Sequence, residues 1–276
     1  MLQRGDRLGN YEILGESARG TTSQLFPVRH VETHDSAALK LLDAEWCWLP
    51  DVVRRFDNER RILASLSHPN IIAVQASGMY DSGAPYVVLD WLPCALPDVL
   101  GVGPLELQVA LRYSAQIGAA LSVLHKQGLS HRELKPRDLR TTADAPSQAI
   151  LKLCDLGHAK AAPDLESPSL MTTHCDLAYR APEQFTEGEA VDGAADVYAL
   201  GVLLFQMLAG TLPFAAVEPQ DIRNQHLLES PPLMQLPLAV RAPTADLLDA
   251  MLAKRAAARP RIDEVCAQLA RLREAP

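Results

Sequence analysis

The hydrophobic pattern of this chain shifts near Pro97 from mainly strand-like to mainly helical, and that shift limits the fold more than any other feature. Over residues 11–42, short apolar runs rich in β-branched and aromatic residues (11–14, 24–28 and 37–42) alternate with polar, turn-forming stretches, the pattern of a small antiparallel sheet. One helix interrupts the strands: Val52, Phe56, Ile62, Leu63 and Leu66 recur at spacings that one helix face can hold, and His68-Pro69-Asn70 ends it. Residues 71–74 and 86–89 read as two further strands joined through the turn-rich 81–85. After Pro97 the period becomes helical, because Leu107, Leu111, Ile117, Leu121 and Leu124 mark one face of a long helix ending before Gly128. Two strand-like pieces follow, at 139–142 and 149–153, and beyond Pro182 every strong pattern is helical, including 195–209, 244–254 and 262–273. The expectation is an α+β chain with a small β-rich lobe carrying one key helix (11–92) and a larger, mainly α-helical lobe (93–276), the boundary falling near 91–93. The poorly patterned stretch 159–175 is long enough to be a functional loop.

Charge and cysteine content remove several function classes. The 26 Lys and Arg residues against 34 Asp and Glu leave a net charge of −8, too acidic for a surface that holds a polyphosphate backbone, so no nucleic-acid partner is expected. The longest apolar stretch, 197–210, is shorter than a bilayer-spanning helix and contains Gln206, which makes it a buried helix, and no membrane contact is expected within this chain. The first ten residues carry Arg4, Asp6 and Arg7 with no apolar run behind them, unlike a signal peptide. Five widely spaced cysteines, none in a CxxC pair, signal neither a disulfide framework nor a thiolate zinc site and fit free thiols in the cytoplasm. The eight histidines form no metal-like cluster in the sequence; His125 reads as helix packing.

Four segments stand out against these patterns. The first is Ala18-Arg19-Gly20-Thr21-Thr22-Ser23-Gln24-Leu25-Phe26; the second is Ala38-Leu39-Lys40, followed within the helix by Phe56-Asp57-Asn58-Glu59. The third is His131-Arg132-Glu133-Leu134-Lys135-Pro136-Arg137-Asp138, and the fourth Asp155-Leu156-Gly157, with Tyr179-Arg180-Ala181-Pro182-Glu183, Asp196 and Ala258-Arg259-Pro260 downstream. In this order they resemble the signature set of the eukaryotic-type (Hanks-type) Ser/Thr protein kinases over nearly the whole chain.

That resemblance implies a bilobal protein-kinase-like fold, ATP and Mg²⁺ as cofactors, and transfer of the γ-phosphoryl group to a hydroxyl of a protein substrate. It puts Ala18, Gly20, Ser23 and Leu25 in the phosphate-covering loop, and Ala38, Asp90, Leu92 and Arg140 at the nucleotide. Lys40 would hold the α and β phosphates, kept in place by Glu59, since a lysine on a flexible stem needs an opposite charge to be preorganised. Glu133 would orient the acceptor hydroxyl, Lys135 would stand near the transferred group, and Asp155 with Asp138 would hold Mg²⁺. Taken singly, Lys40 and Glu59 read better as ordinary surface charges, the usual state of both residue types. Glu183 and Arg259 are expected to pair, and Asp196 and His131 to support the loop, as architectural residues.

The departures from the family pattern bear on whether the chain is an enzyme. Only Gly20 of three expected glycines is present, which loosens the phosphate cradle. Glu133 replaces aspartate and is one methylene longer, where misplacement by about 1 Å can lower a rate on the order of 100-fold. Asp138 replaces asparagine and lacks its N–H donors, and Cys175 replaces a threonine that contacts the catalytic loop. Arg140 stands where an apolar side chain would lie beneath adenine, unless the register slips and Leu139 takes that place. Two readings follow: a protein Ser/Thr kinase with weakened or altered catalysis, or a pseudokinase acting as a binding or allosteric module. Outside the motifs, the tryptophans of Trp46-Cys47-Trp48 pack on the adjacent helix or form a docking patch, and Ser167, Ser169, Thr172 and Thr173 are candidate phosphate acceptors or ordinary loop residues.

Overall fold

The structure is a computed structural model and describes residues 2–143, 145–146, 148–161, 164–165 and 174–274. It divides into two compact units, Met1–Pro93 with Cys154–Gly157, and Cys94–Leu153 with His158–Pro276. The four candidate phosphate acceptors named above lie outside the described residues, as does the side chain of Cys175.

The first unit is an antiparallel sheet with one helix. Strands β1 (Arg7–Leu8), β2 (Tyr11–Ile13), β3 (Ala18–Arg19), β4 (Ser23–His30) and β5 (Ser36–Leu42) come first, then helix α1 (Pro50–Ser65), then β6 (Val74–Met79) and β7 (Pro85–Asp90). They join in the order β1-β2-β4-β5-β7-β6, with β3 folded back on β4. Ile13, Phe26, Val28, Leu39 and Val88 form the buried interior. Helix α1 starts at Pro50, whose missing N–H is no loss at a helix N-terminus, and turns Phe56, Glu59, Ile62 and Leu63 inward. Glu59 is thus a carboxylate on an otherwise apolar stripe, a placement that requires a partner.

The strand expected at 71–74 begins at Val74 instead. Ile71 and Ile72 are both buried, which successive residues of a one-sided strand cannot be, and Ile71 closes a turn onto the His68 carbonyl. The Trp46–Trp48 segment does not pack as a unit on α1, because Trp48 is 74% exposed. Cys47, between the two rings, packs against the sheet core.

The second unit is mainly helical. In chain order it contains β8 (Cys94–Ala95), α2 (Leu96–Leu100), α3 (Leu107–Lys126), β9 (Leu129–Ser130), β10 (Leu139–Thr141), β11 (Leu151–Leu153), β12 (Lys160–Ala161), β13 (Asp164–Leu165), α4 (His174–Leu177) and β14 (Ala190–Val191). Helices α5 (Gly193–Ala209), α6 (Pro219–Leu228), α7 (Leu238–Met251) and α8 (Ile262–Glu274) complete it. Helix α5 is predominantly apolar and is buried over most of its length, as its composition demands. Asp192 caps its start by accepting the Ala194 N–H, and Gly210, at φ 73°, ends it in a conformation that favours glycine. Close helix contacts explain two further glycines: a Cβ on Gly118 of α3 would fall 2.9 Å from Cys266 Sγ of α8, and one on Gly201 of α5 would fall 3.0 Å from Met251 Cβ of α7.

Two details of this unit differ from the sequence expectation, one a helix boundary and one a strand. Helix α7 begins before Pro243 and runs through it, because Leu247, Leu248 and Met251 gain more from burial than one lost backbone bond removes. The two-residue strand β14 pairs with β13 in a region that reads as purely helical in sequence.

His226 of α6 is fully buried against Phe185, Phe214 and Tyr198, and its Nδ1 lies 2.9 Å from the Tyr198 hydroxyl. Burial, reinforced by the nearby Lys254 charge, lowers its pKa from 6.5 to about 3. A depressed folded pKa means that this contribution to stability is complete above pH 6.5 and is lost as the pH falls towards 3. Urea denaturation should therefore show a loss of about 2 kcal/mol from this group between pH 6.5 and 5, absent in His226→Gln.

Candidate functional site

In the first unit, Lys40 sits near the middle of β5, paired across the sheet with Leu25 on β4 and Val87 on β7. Its ammonium donates to both Glu59 carboxylate oxygens of α1, each at 2.7 Å, and lies 6.0 Å from the Phe56 ring centre. Burial outweighs the opposing Lys40 charge and, with nearby Asp155 adding to the rise, leaves the Glu59 carboxyl raised to about 7. Both candidates are therefore brought together, and neither is the ordinary surface charge that each residue type usually is.

The hairpin β3–β4 carries the residues of the first motif. The Gly20 N–H donates to the Ser23 carbonyl at 2.8 Å, and a Cβ on Gly20 would come within 3.0 Å of that same oxygen. The tight turn thus leaves little room for a side chain at this position, while Ala18 pairs with Leu25 across the hairpin. Ala38 is buried in β5, and Leu92 is buried beyond β7. The Asp90 carboxylate accepts from the Ala73 N–H and from Gln75 Nε2 at 3.3 and 3.4 Å. Asp155 Oδ1 accepts the Gly157 N–H at 2.8 Å, and a side chain on Gly157 would meet that oxygen at 3.1 Å and the Arg55 stem of α1 at 3.6 Å.

In the second unit, residues 131–138 run from β9 to β10. Asp196 of α5, wholly buried, accepts the backbone N–H of His131 at 2.8 Å and of Arg132 at 2.7 Å, and His125 Nε2 lies 2.8 Å from it. His125 is thus part of the support for the loop, more than the packing residue its place in α3 suggested. Arg132 has φ 72°, a left-handed conformation that costs a non-glycine residue roughly 1–3 kcal/mol and persists only where its surroundings impose it. Gln184 Nε2 holds the Arg132 carbonyl at 2.7 Å, and the Arg132 guanidinium donates to Val191 O at 3.1 Å.

Beyond this strained point, Glu133 and Lys135 are largely buried and close together, Lys135 Nζ lying 3.5 Å from Glu133 Oε2 and 3.0 Å from Asp176 Oδ1. Burial opposes the Lys135 charge, but Asp138, Glu133 and Asp176 outweigh it and hold its pKa above the ordinary lysine value. Asp138 closes a 3-10 turn (Pro136–Asp138) by accepting the Lys135 N–H at 3.2 Å. Arg140 pairs with Ala95 on β8 and Lys152 on β11, and is partly exposed between the fully buried Leu139 and Thr141. The alternation is intact, so Leu139 belongs to the core face and Arg140 to the other. Among the described residues, no group of three or more His, Cys, Asp or Glu side chains is placed to hold a metal by itself.

Residues 10–269 match the family described as protein kinase domain. The chain belongs to the protein kinase family. Its similar relatives put it in the Hanks-type Ser/Thr branch: it is 33% identical over 232 residues to the serine/threonine-protein kinase PknB of Mycobacterium leprae, covering 82% of this chain and 36% of that protein. It is 33% identical over 266 residues to Pkn1 of Myxococcus xanthus, covering 91% of this chain and 36% of the relative. A probable serine/threonine-protein kinase of Clostridium perfringens, CPE1738, is 30% identical over 231 residues, covering 82% and 32%. The chain spans about a third of the length of the curated relatives it matches.

Two further features of this kinase domain were expected and are present. Arg259 donates to both Glu183 oxygens at 2.7 and 2.8 Å, and also to the carbonyls of Ala253, Ala194 and Lys254. The kinase fold, with its β-rich unit and mainly helical unit, is the α+β architecture the patterning implied. Sequence reasoning missed His158, Asp176 and Arg180 around Glu133 and Lys135; only the tertiary structure collects them, and no spacing rule would have flagged them.

Because Glu183 and Arg259 are both almost completely buried, Arg259→Leu leaves an unpaired carboxylate and should lower stability by about 3–5 kcal/mol in urea denaturation. Adding Glu183→Leu should recover part of that loss, so that the double variant is less destabilised than the sum of the single ones.

Proposed function

We propose that this chain is an ATP- and Mg²⁺-dependent phosphotransferase that moves the γ-phosphoryl group to a Ser or Thr hydroxyl of a protein. The observation that carries the reading is the Lys40–Glu59 pair: a buried carboxylate on α1 grips the ammonium through both oxygens and fixes a positive charge on β5. A fixed cation of that kind is what α and β phosphates require, since it spends no reorganisation energy when they bind. The names of the relatives, all Ser/Thr protein kinases, support the substrate class.

We assign the remaining roles as follows. In the first unit, Ala18, Gly20, Ser23 and Leu25, carried by the β3–β4 hairpin, cover the phosphates, and Ala38, Asp90 and Leu92 contact the nucleotide. Arg140 is the nucleotide residue of the second unit. The carboxylates of Asp155 and Asp138 are hard oxygen donors of the kind Mg²⁺ takes, and each is oriented by a backbone N–H of its own unit. Bound Mg²⁺ supplies neutralisation of the phosphate charge. Glu133 orients the acceptor hydroxyl and accepts its proton, and Lys135, held charged by its carboxylate neighbours, stands by the transferred group. The partner is a protein, and the free described cysteines fit a reducing compartment such as the cytoplasm. No helix among the described residues is long and apolar enough to cross a membrane.

Thermal shift or calorimetry with ATP, with and without Mg²⁺, tests the reading. Stabilisation should depend on Mg²⁺, reaching about 2.7 kcal/mol at ATP a hundredfold above Kd, and Asp155→Asn should remove the metal dependence. Arg140→Leu should tighten ATP binding; unchanged affinity means that Arg140 does not meet the nucleotide. Absence of binding at millimolar ATP would leave a partner-binding pseudokinase as the function of this domain.

A further inference from the structure

Glu133 has one more rotatable bond than the aspartate the family pattern calls for, and that freedom must be removed before its carboxylate can be held against a hydroxyl. Basic groups from three segments of the second unit converge on it. His158, directly after Asp155-Leu156-Gly157, brings Nε2 to 3.2 Å from Glu133 Oε2. Lys135 Nζ lies 3.5 Å from the same oxygen, and Arg180 Nη2 lies 3.6 Å from Oε1. The imidazole is the closest of the three, and its distance is that of a hydrogen bond. Lys135 is drawn away by Asp176, whose Oδ1 it meets at 3.0 Å.

We infer that His158 is a positioning residue for Glu133, and that the catalytic loop of this chain is rebuilt around a glutamate. The inference rests on the proposed role of Glu133 in orienting the acceptor hydroxyl. Nε2–H, present in one neutral tautomer and in the imidazolium, donates to Oε2 and fixes the carboxylate plane. Oε1, with Arg180 beyond ordinary hydrogen-bond distance, keeps the lone pair that a hydroxyl needs. Asp176 does for Lys135 what His158 does for Glu133: it gives the ammonium a second anchor, so that the lysine does not close over Oε2. Glutamate at 133 is then matched to its neighbours. An aspartate there would end about one C–C bond short of His158 and lose the contact that aligns it.

The test is autophosphorylation of the purified chain as a function of Mg·ATP. His158→Phe should lower the maximal rate about tenfold or more with the half-saturating ATP concentration unchanged, while His158→Gln, which keeps an N–H donor, should retain most of the rate. Glu133→Asp should be slower than the native chain. A His158→Phe variant at the native rate, a His158→Gln no better than His158→Phe, or a faster Glu133→Asp would each overturn the inference and leave the phosphotransferase reading standing. No transfer by the native chain would instead remove that reading and the inference with it, whereas Glu133→Gln at full rate would remove the role of Glu133, and with it the inference, while leaving the chain a phosphotransferase. A second readout needs no activity: the ring ¹H–¹³C resonance of His158, identified by its loss in His158→Gln, should shift in Glu133→Gln. An unshifted resonance overturns the contact.

Discussion

Asp196 takes two backbone N–H groups and an imidazole nitrogen while wholly buried on α5, and the loop carrying Glu133, Lys135 and Asp138 depends on it. An unpaired carboxylate in that place would be intolerable, and an unsupported Arg132 would relax from its left-handed conformation. Each removes the other's penalty. The loop is therefore bent at one defined residue, and the side chains after the bend point where α5 requires. Gly193 shows how tight the arrangement is, since a Cβ there would fall 2.6 Å from Cε1 of the His125 ring.

The two units use one physical device in different places. Lys40–Glu59 in the first and Arg259–Glu183 in the second are bidentate ion pairs taken largely out of water. Such pairs add little net stability, because desolvation offsets much of the attraction, yet they tolerate few alternative geometries. In the second unit the pair ties α5, the turn after α7 and the Pro182–Phe185 turn together. In the first it does something more useful for chemistry, holding a cation on a strand at a fixed point. The same bond type thus serves two ends: in the second unit it fixes a guanidinium whose five N–H donors are all used within the protein, and in the first it fixes the place of a lysine ammonium on a strand.

Departures from the family pattern look like damage when read singly and like substitution when seen in place. The longer Glu133 meets His158, and Lys135 meets Asp176. Arg140 faces away from the core that Leu139 and Thr141 fill, so its charge is not buried in the interior of the second unit. Whether a replaced residue disables a site depends on what its neighbours offer, and neighbours in space are not neighbours in sequence.

Much of the fold was legible in the chain because periodicity is a local property. The short apolar runs over 11–42, the stripe Phe56, Ile62, Leu63 and the 3.6-residue repeat from Leu107 to Leu124 each correspond to an element found. The motif residues were legible for a different reason, a resemblance in order and spacing that survives substitution. What local pattern could not decide was settled by competition between distant groups: β6 starts only at Val74 because Ile71 and Ile72 are both needed in the core, α7 passes through Pro243 because its later turns are buried, and Trp48 stays exposed because nothing covers it among the described residues. The surroundings of Glu133 belong to the same class. The sequence by itself determined which residues carry charge and where helices and strands can form; only the tertiary structure decided which charges meet, because an ion pair needs two groups within about 4 Å and the chain order says nothing of that distance.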